Sequence, residues 1–230
     1  MKPFNYYNTP ESDPFSMRYI RSGDHDPEFA AFFRKSFEGR PRLIVKDVHS
    51  LFALDWIDHQ IAPHIVVISR HPLSVADSWH RVFKGDDEER YSRFLNQPML
   101  VKDYLYSFEA HIRSCSTDFW GRMGAYWGAC YHVVMQQQRN HSNWIVVRHE
   151  DFCEDPTGRF RDLFALLDLE WTEETQQRIE LSNADGSQHH YLPRRILAAE
   201  KEKWRKNLTT AQANAVIRAV APFQVPIFSI

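Results

Sequence analysis

The sequence predicts an α/β fold in which a parallel central sheet is flanked by helices. Three short apolar runs rich in β-branched residues, 42–47, 65–68 and 144–148, are each followed by a longer stretch in which apolar residues recur at helical spacing. Such runs are typical of strands buried in a parallel sheet. Strands that alternate with helices in this way favour parallel pairing, with helices on both faces of the sheet.

Composition sets limits on the class of protein. The chain has 230 residues, of which 43% are hydrophobic and 25% are charged, as in ordinary globular proteins with one substantial core. We therefore expect a single domain over 1–230, with an irregular, proline-rich arm over 1–27. The formal net charge of −2 offers no general attraction to nucleic acid, so any anion site must be local.

Two further features bear on the compartment of the protein. No run approaches the roughly 20 apolar residues of a membrane-spanning helix, so no membrane span is expected. The cysteines Cys115, Cys130 and Cys153 are widely spaced and form neither a CxxC pair nor a metal-binding pattern. Reduced thiols of this kind predict a cytoplasmic protein.

Helix and strand boundaries follow from local start and stop signals. Pro27 stands at an early helical position, and Gly39 follows the end of the first helix. Pro72 ends the second strand, and Ser74 is the expected N-cap of the next helix, with Asp77 three residues further on. In chain order, the expected elements are a helix over 26–37, a strand over 42–47, a helix over 50–61, a strand over 65–68, a helix from 74 to about 83, helices between 91 and 139, a strand over 144–148, helices over 157–167 and 173–181, and a helix from 209 or 210 to 220.

Three glycines, Gly121, Gly124 and Gly128, lie in one of the helical stretches, beside Tyr126 and Trp127. No strand precedes them, which argues against a phosphate-binding loop. We expect these glycines to let a second helix pack closely against the first.

The stretch from His64 to Arg81 predicts an anion site. Arg70 stands where the second strand ends, and open α/β sheets bind their ligands at the carboxyl ends of the strands. The guanidinium of Arg70 and the first-turn amides of the following helix would both donate hydrogen bonds to an anion. Ser78, about one turn into that helix, would donate one more. The alternative is that Arg70 caps the sheet edge or pairs with Asp77.

Charged or titratable residues follow all three predicted strands, and a basic segment lies late in the chain. Because the carboxyl ends of parallel strands meet at one edge of a sheet, these groups together would surround a polyanion. A nucleotide with more than one phosphate is the expected ligand. The strand-end residues are Lys46, Asp47, His49, Arg70, Arg148, His149 and Glu150, and the basic segment contains Arg194, Arg195, Lys201, Lys203, Arg205 and Lys206.

Three stretches carry motifs in a fixed order. Residues 70–78 match R-x-P-x5-S, residues 146–169 read as a strand followed by His-Glu-Asp, Asp-Pro and a helix, and residues 203–209 are KWRKNLT. These motifs resemble those of the sulfotransferases that use 3′-phosphoadenosine 5′-phosphosulfate, whose late element is W-[KR]-x-x-[LF]-[ST]. The run 42–47 is similar to the family's second strand, so the resemblance spans about 41–210. It implies a P-loop NTPase-like core of the sulfotransferase type.

The resemblance implies roles for individual residues. Arg70 and Ser78 would bind the 3′-phosphate of the co-substrate. His149 stands where the family has a tyrosine near the adenine. The family's basic loop normally precedes the W-[KR] element, and here Arg195 and Arg205 would take its place, together with Arg194. The implied reaction is transfer of a sulfuryl group to a hydroxyl or amine of a small molecule or a glycan, without a metal.

The resemblance also suggests the catalytic groups. The family's acceptor base is often a histidine just after the second strand, and His49 lies near that position. Lys46 would stabilise charge on the transferring group. The alternative is that His49 is a helix-capping surface residue and that Lys46 pairs with Asp47.

One family element has no counterpart here, namely the Pro-Arg/Lys-Ser-Gly-Thr-like loop that cradles the 5′-phosphosulfate. Three explanations are open: the chain lacks its natural N-terminus, the arm before residue 40 replaces the loop, or the protein no longer catalyses. The rival functions are therefore an inactive nucleotide-binding relative and an interaction protein that keeps only the scaffold. The adjacent pair His189-His190 is not expected to bind metal, because neighbouring side chains diverge.

Overall fold

The computed structural model of the protein describes residues 18–23, 27–39, 43–83, 91, 94–183 and 202–226. Within these residues the chain forms a helix-rich α/β fold, with a small parallel two-stranded sheet flanked by helices. The strands are β1 (Val66–Ser69) and β2 (Ile145–Arg148). The helices described are α1 (Pro27–Lys35), α2 (Leu54–Ile61), α3 (Pro72–Phe83), α4 (Pro98–Leu100), α5 (Glu109–Ser114), α6 (Phe119–Gln138), α7 (His149–Glu154), α8 (Pro156–Leu166), α9 (Glu173–Asn183), α10 (Trp204–Asn207) and α11 (Thr210–Val220), and a π-helical turn (Val101–Leu105) follows α4.

The sheet forms because two apolar, β-branched runs pair side by side. The parallel register places Ser69 beside Arg148, so the two strands end together. Val67 and Ser69 are buried against the core, whereas Ile68, which points to the opposite face, is 62% exposed. The described residues therefore leave one face of β1 open, in contrast to the expected cover on both faces.

Helix α6 lies at the centre of the main hydrophobic core. Asp118 caps its N-terminus, since the carboxylate accepts two first-turn N–H groups. A Cβ at Gly124 would lie 2.4 Å from the carbonyl oxygen of Val216 on α11, and one at Gly128 would lie 2.3 Å from the ring of Phe223. The packing role predicted for these two glycines is confirmed.

The side chain of His141 connects α2 to the turn before β2. The Nε2 atom of His141 lies 2.5 Å from Asp55 Oδ1, and its Nδ1 atom lies 2.7 Å from Asp58 Oδ2. The ring stacks on Trp144, with centroids 4.6 Å apart. These contacts fix the amino end of β2 against α2.

The predicted strand over 42–47 is wrong for its described residues, 43–47, which form neither strand nor helix. Leu43, Ile44 and Val45 are 44%, 87% and 52% exposed, respectively. β-Branched residues suit a pleated, half-buried surface, but tertiary contacts decide which run is paired. Here β1 pairs with β2 alone among the described residues.

The other expected elements that fall on described residues are observed with shifts of a few residues at their ends. Helix α7 was not expected. Ser74 is not the N-cap of α3, because the helix already begins at Pro72; Ser74 is buried inside the first turn, and its hydroxyl has no hydrogen-bond partner among the described residues. Most of the proline-rich arm, the pair His189-His190 and the residues 194–201 lie outside the described residues.

Candidate functional site

The carboxyl ends of β1 and β2 bring two of the predicted strand-end groups together. Arg70 and His71 follow β1, and His149 and Glu150 follow β2. The backbone N–H of His71 donates a hydrogen bond to Glu150 Oε1 at 2.8 Å. This contact fixes the two strand ends to each other, and we call Arg70, His71, Arg148, Glu150, Trp204 and Arg205 the strand-end cluster.

Glu150 is a buried carboxylate at the centre of this cluster. It is 3% exposed, and its Oε2 atom accepts no hydrogen bond from the described residues. A buried charge is costly unless nearby groups compensate it. The hydrogen bond from the N–H of His71 supplies part of that compensation.

The ring of His71 is neutral and has a fixed orientation. Its Nδ1 atom accepts a hydrogen bond from the N–H of Leu73 at 3.2 Å, so the ring proton lies on Nε2. Burial lowers the pKa of His71; Glu150 opposes that shift, and Arg205 and Arg148 add to it. Because an unperturbed histidine has a pKa of about 6.5, this imidazole is uncharged at neutral pH.

The late W-R-K segment packs directly on the strand ends. The ring of Trp204 stacks on His71, with centroids 5.5 Å apart and an interplanar angle of 5°. The guanidinium carbon of Arg205 lies 4.6 Å from the centroid of the Trp204 ring. Arg205, whose side chain is 60% exposed, thus brings a cation to the cluster, and its Nε atom also lies 3.4 Å from Glu202 Oε1.

A second contact joins the same segment to α3. The side-chain amide of Asn207 donates to both carboxylate oxygens of Asp77, at 3.1 and 3.0 Å. Asp77 also pairs with Arg81 at 3.5 Å. Asp77, the alternative partner considered for Arg70, thus contacts both Asn207 and Arg81.

Arg70 directly follows β1, and Ser78 lies within α3. Arg70 is half-buried, with its Nε atom inside the protein, and its carbonyl oxygen accepts a hydrogen bond from Trp127 Nε1 at 3.0 Å. Ser78 is half-buried in the second turn of α3. The tryptophan bond fixes the backbone of Arg70 to α6 at the point where the strand ends.

Lys46 and His49 are not brought to the cluster by a third strand. Asp47 Oδ1 instead accepts hydrogen bonds from the N–H groups of His49 and Ser50, at 2.5 and 3.0 Å, and starts the helical turn before α2. Lys46 is exposed and His49 is half-buried. Within the described residues, no hydrogen bond, ion pair or ring contact links either side chain to the strand-end cluster.

Of the remaining predicted site residues, His149 lies within the described structure and Arg195 does not. His149 is half-buried at the start of α7, and its ring nitrogens lie 3.5 and 3.8 Å from the sulfur of Cys153. Arg195, like Arg194, lies outside the described residues. In the part of the chain that the structure covers, no three His, Cys, Asp or Glu side chains are grouped so as to hold a metal ion.

His71, Trp204 and Asn207 lie within the motifs at 70–78 and 203–209, but the sequence indicated a role at the site for none of them. The position of His71 between Arg70 and Pro72 at a strand end was a usable signal. Nothing local indicates that a tryptophan so late in the chain stacks on it, because that contact depends on the tertiary fold.

Comparisons with known proteins give no family for this chain. No protein-family model matches it, and no significant match was found among curated proteins or among solved structures. None of the helices described is long and apolar enough to cross a membrane.

Proposed function

We propose that the protein is a sulfotransferase that uses 3′-phosphoadenosine 5′-phosphosulfate as co-substrate and has a P-loop NTPase-like core. The observation that supports this most is the convergence of three distant motifs, 70–78, 146–169 and 203–209, at the carboxyl end of the sheet. The resemblance in sequence depends only on the order of the motifs along the chain, and not on whether they meet in the fold. Their meeting at one place is what a shared ligand site demands.

The charge of the cluster supports an anionic ligand. The cluster holds three guanidinium groups, on Arg70, Arg148 and Arg205, against one buried carboxylate, Glu150, and the N-terminus of α3 adds a favourable dipole. We assign the 3′-phosphate to Arg70 and Ser78. Each charge-assisted hydrogen bond of this kind contributes about 1.5–3 kcal/mol.

Flat side chains near the strand ends support binding of a base. His149 follows β2 directly, and we assign it to the adenine, on which an imidazole would stack with less area than a tyrosine. Arg205 completes the phosphate site from α10. Arg195, outside the described residues, is proposed as the further cation there.

The proposed reaction is an in-line transfer. The acceptor oxygen or nitrogen attacks sulfur, the bond from sulfur to the 5′-phosphate oxygen breaks, and 3′-phosphoadenosine 5′-phosphate leaves. The acceptor proton passes to a base, for which His49 is the candidate, while Lys46 stabilises charge on the transferred group. The acceptor is a hydroxyl or amine of a small molecule or glycan, and the protein acts in the cytoplasm.

A second candidate function is nucleotide binding without turnover, or a scaffold that only binds other proteins. One observation favours it: neither Lys46 nor His49 contacts the strand-end cluster within the described residues. The absence of a 5′-phosphosulfate loop from the sequence points the same way.

Titration of the purified chain with 3′-phosphoadenosine 5′-phosphate and with adenosine 5′-phosphate tests the proposal. Adenosine 5′-phosphate lacks the 3′-phosphate, so the first ligand should bind at least about tenfold more tightly, a difference of about 1.4 kcal/mol. Equal affinities, or no binding to the folded chain, contradict a 3′-phosphate site. Transfer of labelled sulfate from the co-substrate to a panel of acceptors then separates an enzyme from an inactive relative.

A further inference from the structure

The outer edge of β1 is closed by α6. Because the N–H of Ile145 donates to Ile65 O at 2.9 Å, alternate residues of β1, among them Ile68 and Arg70, point their backbone groups away from β2. Ile68 O accepts from the hydroxyl of Tyr131, and Arg70 O accepts from Trp127 Nε1, both at 3.0 Å. Two aromatic side chains of α6 thus donate hydrogen bonds to the carbonyl groups with which a further strand would have to pair.

The outer edge of β2 is different. By the same alternation, the N–H and C=O groups of Val146 point away from β1, and no described residues pair with β2 on that side as a strand. A groove of about 530 Å³ lies along β2 between α6 and α8. Its apolar lining comes from Met135, Val146, Phe152, Leu163 and Leu166.

Elsewhere on the same chain, the segment 43–48 has the composition of a strand but is exposed to solvent. Residues 43–48 include four apolar side chains, of which Ile44 is 87% and Val48 is 66% exposed. The segment belongs to no helix or strand in the described structure. Uncovered β-branched runs and open strand edges both promote pairing with another chain.

We propose that residues 43–48 of one copy pair with the outer edge of β2 in a second copy and fill its apolar groove. The segment does not line the groove of its own chain, and the two hydrogen bonds that Asp47 Oδ1 accepts from the N–H groups of His49 and Ser50 fix its carboxyl end to the turn before α2. Within the described ranges, each copy therefore offers one segment and one strand edge that pair with no further strand. A two-fold dimer satisfies both at once, because each copy gives and receives one strand.

The mass of the full chain in solution, measured by sedimentation equilibrium, tests this pairing. The expected species is a dimer of chains of 27.2 kDa each. Ile44→Lys in the segment and Leu166→Lys in the groove should each raise the dimer dissociation constant at least about tenfold. Both side chains are largely exposed in the single chain, so the substitutions should leave its fold unchanged, which circular dichroism checks.

Two matched control substitutions test whether the change in dissociation constant is specific to this interface or follows from any loss of apolar surface. Phe32→Lys and Leu181→Lys alter side chains that are 70% and 63% exposed, outside both the segment and the groove, and should leave the dissociation constant within about twofold. A wild-type chain that stays monomeric at every concentration overturns the proposal. A dimer that either Ile44→Lys or Leu166→Lys leaves intact overturns it as well.

A cross-link gives the position of the segment directly. When a chain carrying Ile44→Cys is mixed with one carrying Leu166→Cys, oxidation should join positions 44 and 166 between the two chains. Peptide mapping identifies that bond against those made by the native cysteines. Failure to form it in a dimeric sample overturns the proposed pairing.

Discussion

At the scale of single residues, His71 connects the three motifs of the site. Its backbone N–H binds Glu150, its Nδ1 atom accepts the N–H of Leu73, and its ring face stacks on Trp204. The ring nitrogen caps the start of α3, the role that the sequence assigns to Ser74. A neutral histidine is needed for this role, because a protonated Nδ1 cannot accept a hydrogen bond.

His71 makes the stability of the protein depend on pH. The unfolded chain binds a proton at His71 with the ordinary pKa of about 6.5, whereas the folded chain binds it only at lower pH. Acidification from about pH 7 to about pH 5 should therefore lower the free energy of unfolding, by at most about 1.4 kcal/mol per pH unit from this group. In His71→Asn, which keeps an oxygen acceptor for Leu73 but does not titrate, this part of the loss should disappear.

Urea unfolding of both chains at the two pH values measures the effect. Burial also lowers the pKa of His132, but this contribution is common to both chains and cancels in the difference. The substitution His59→Asn, at an exposed position of α2, is the control and should leave the His71 contribution in place. An unchanged pH dependence in His71→Asn contradicts the assigned role.

At the scale of elements, the contact between α6 and α11 depends on the absence of a side chain at Gly124. An added Cβ would lie 2.4 Å from Val216 O and 2.8 Å from the Cβ of Ala219. The first of these atoms belongs to the backbone of a helix, so it cannot rotate away. The two helices must therefore move apart if any side chain is introduced.

Gly124→Ala should lower the free energy of unfolding. Alanine gains up to about 1 kcal/mol over glycine in a helix, while overpacking a core costs about 1–3 kcal/mol. Since the clash is with backbone, we expect the cost to exceed the gain, with a net loss of about 1 kcal/mol or more. Gly23→Ala, where nothing lies within 4 Å of the added Cβ, is the matched control in thermal unfolding. A Gly124→Ala chain as stable as that control contradicts the close contact.

At the scale of the whole molecule, local sequence signals predicted most helices and the two strands that pair. The runs 65–68 and 144–148 are apolar, lead into helices and form strands because they pair with each other. The run 42–47 has the same composition, yet its residues 43–47 pair with no strand in the part of the chain that the structure describes. The composition of a run shows whether it suits a sheet, whereas contacts between distant segments decide whether it pairs with another strand.

The candidate site was predictable in part for the same reason. Arg70 and Glu150 follow strands, and the ends of paired parallel strands must meet. The stack of Trp204 on His71 and the bond from Asn207 to Asp77 join segments far apart in the chain, and no local pattern specifies them. Only the folded structure therefore shows that these two contacts belong to the site.

We propose that Arg70 anchors a nucleotide through its 3′-phosphate. Calorimetric titration of 3′-phosphoadenosine 5′-phosphate into the wild-type chain and into Arg70→Ala tests it most directly. Arg178→Ala, at a largely exposed arginine of α9, is the control for loss of one positive charge. We expect binding to the wild type and to the control, and affinity at least about tenfold weaker in Arg70→Ala. Folded chains that all bind equally, or a folded wild type that does not bind, would contradict it.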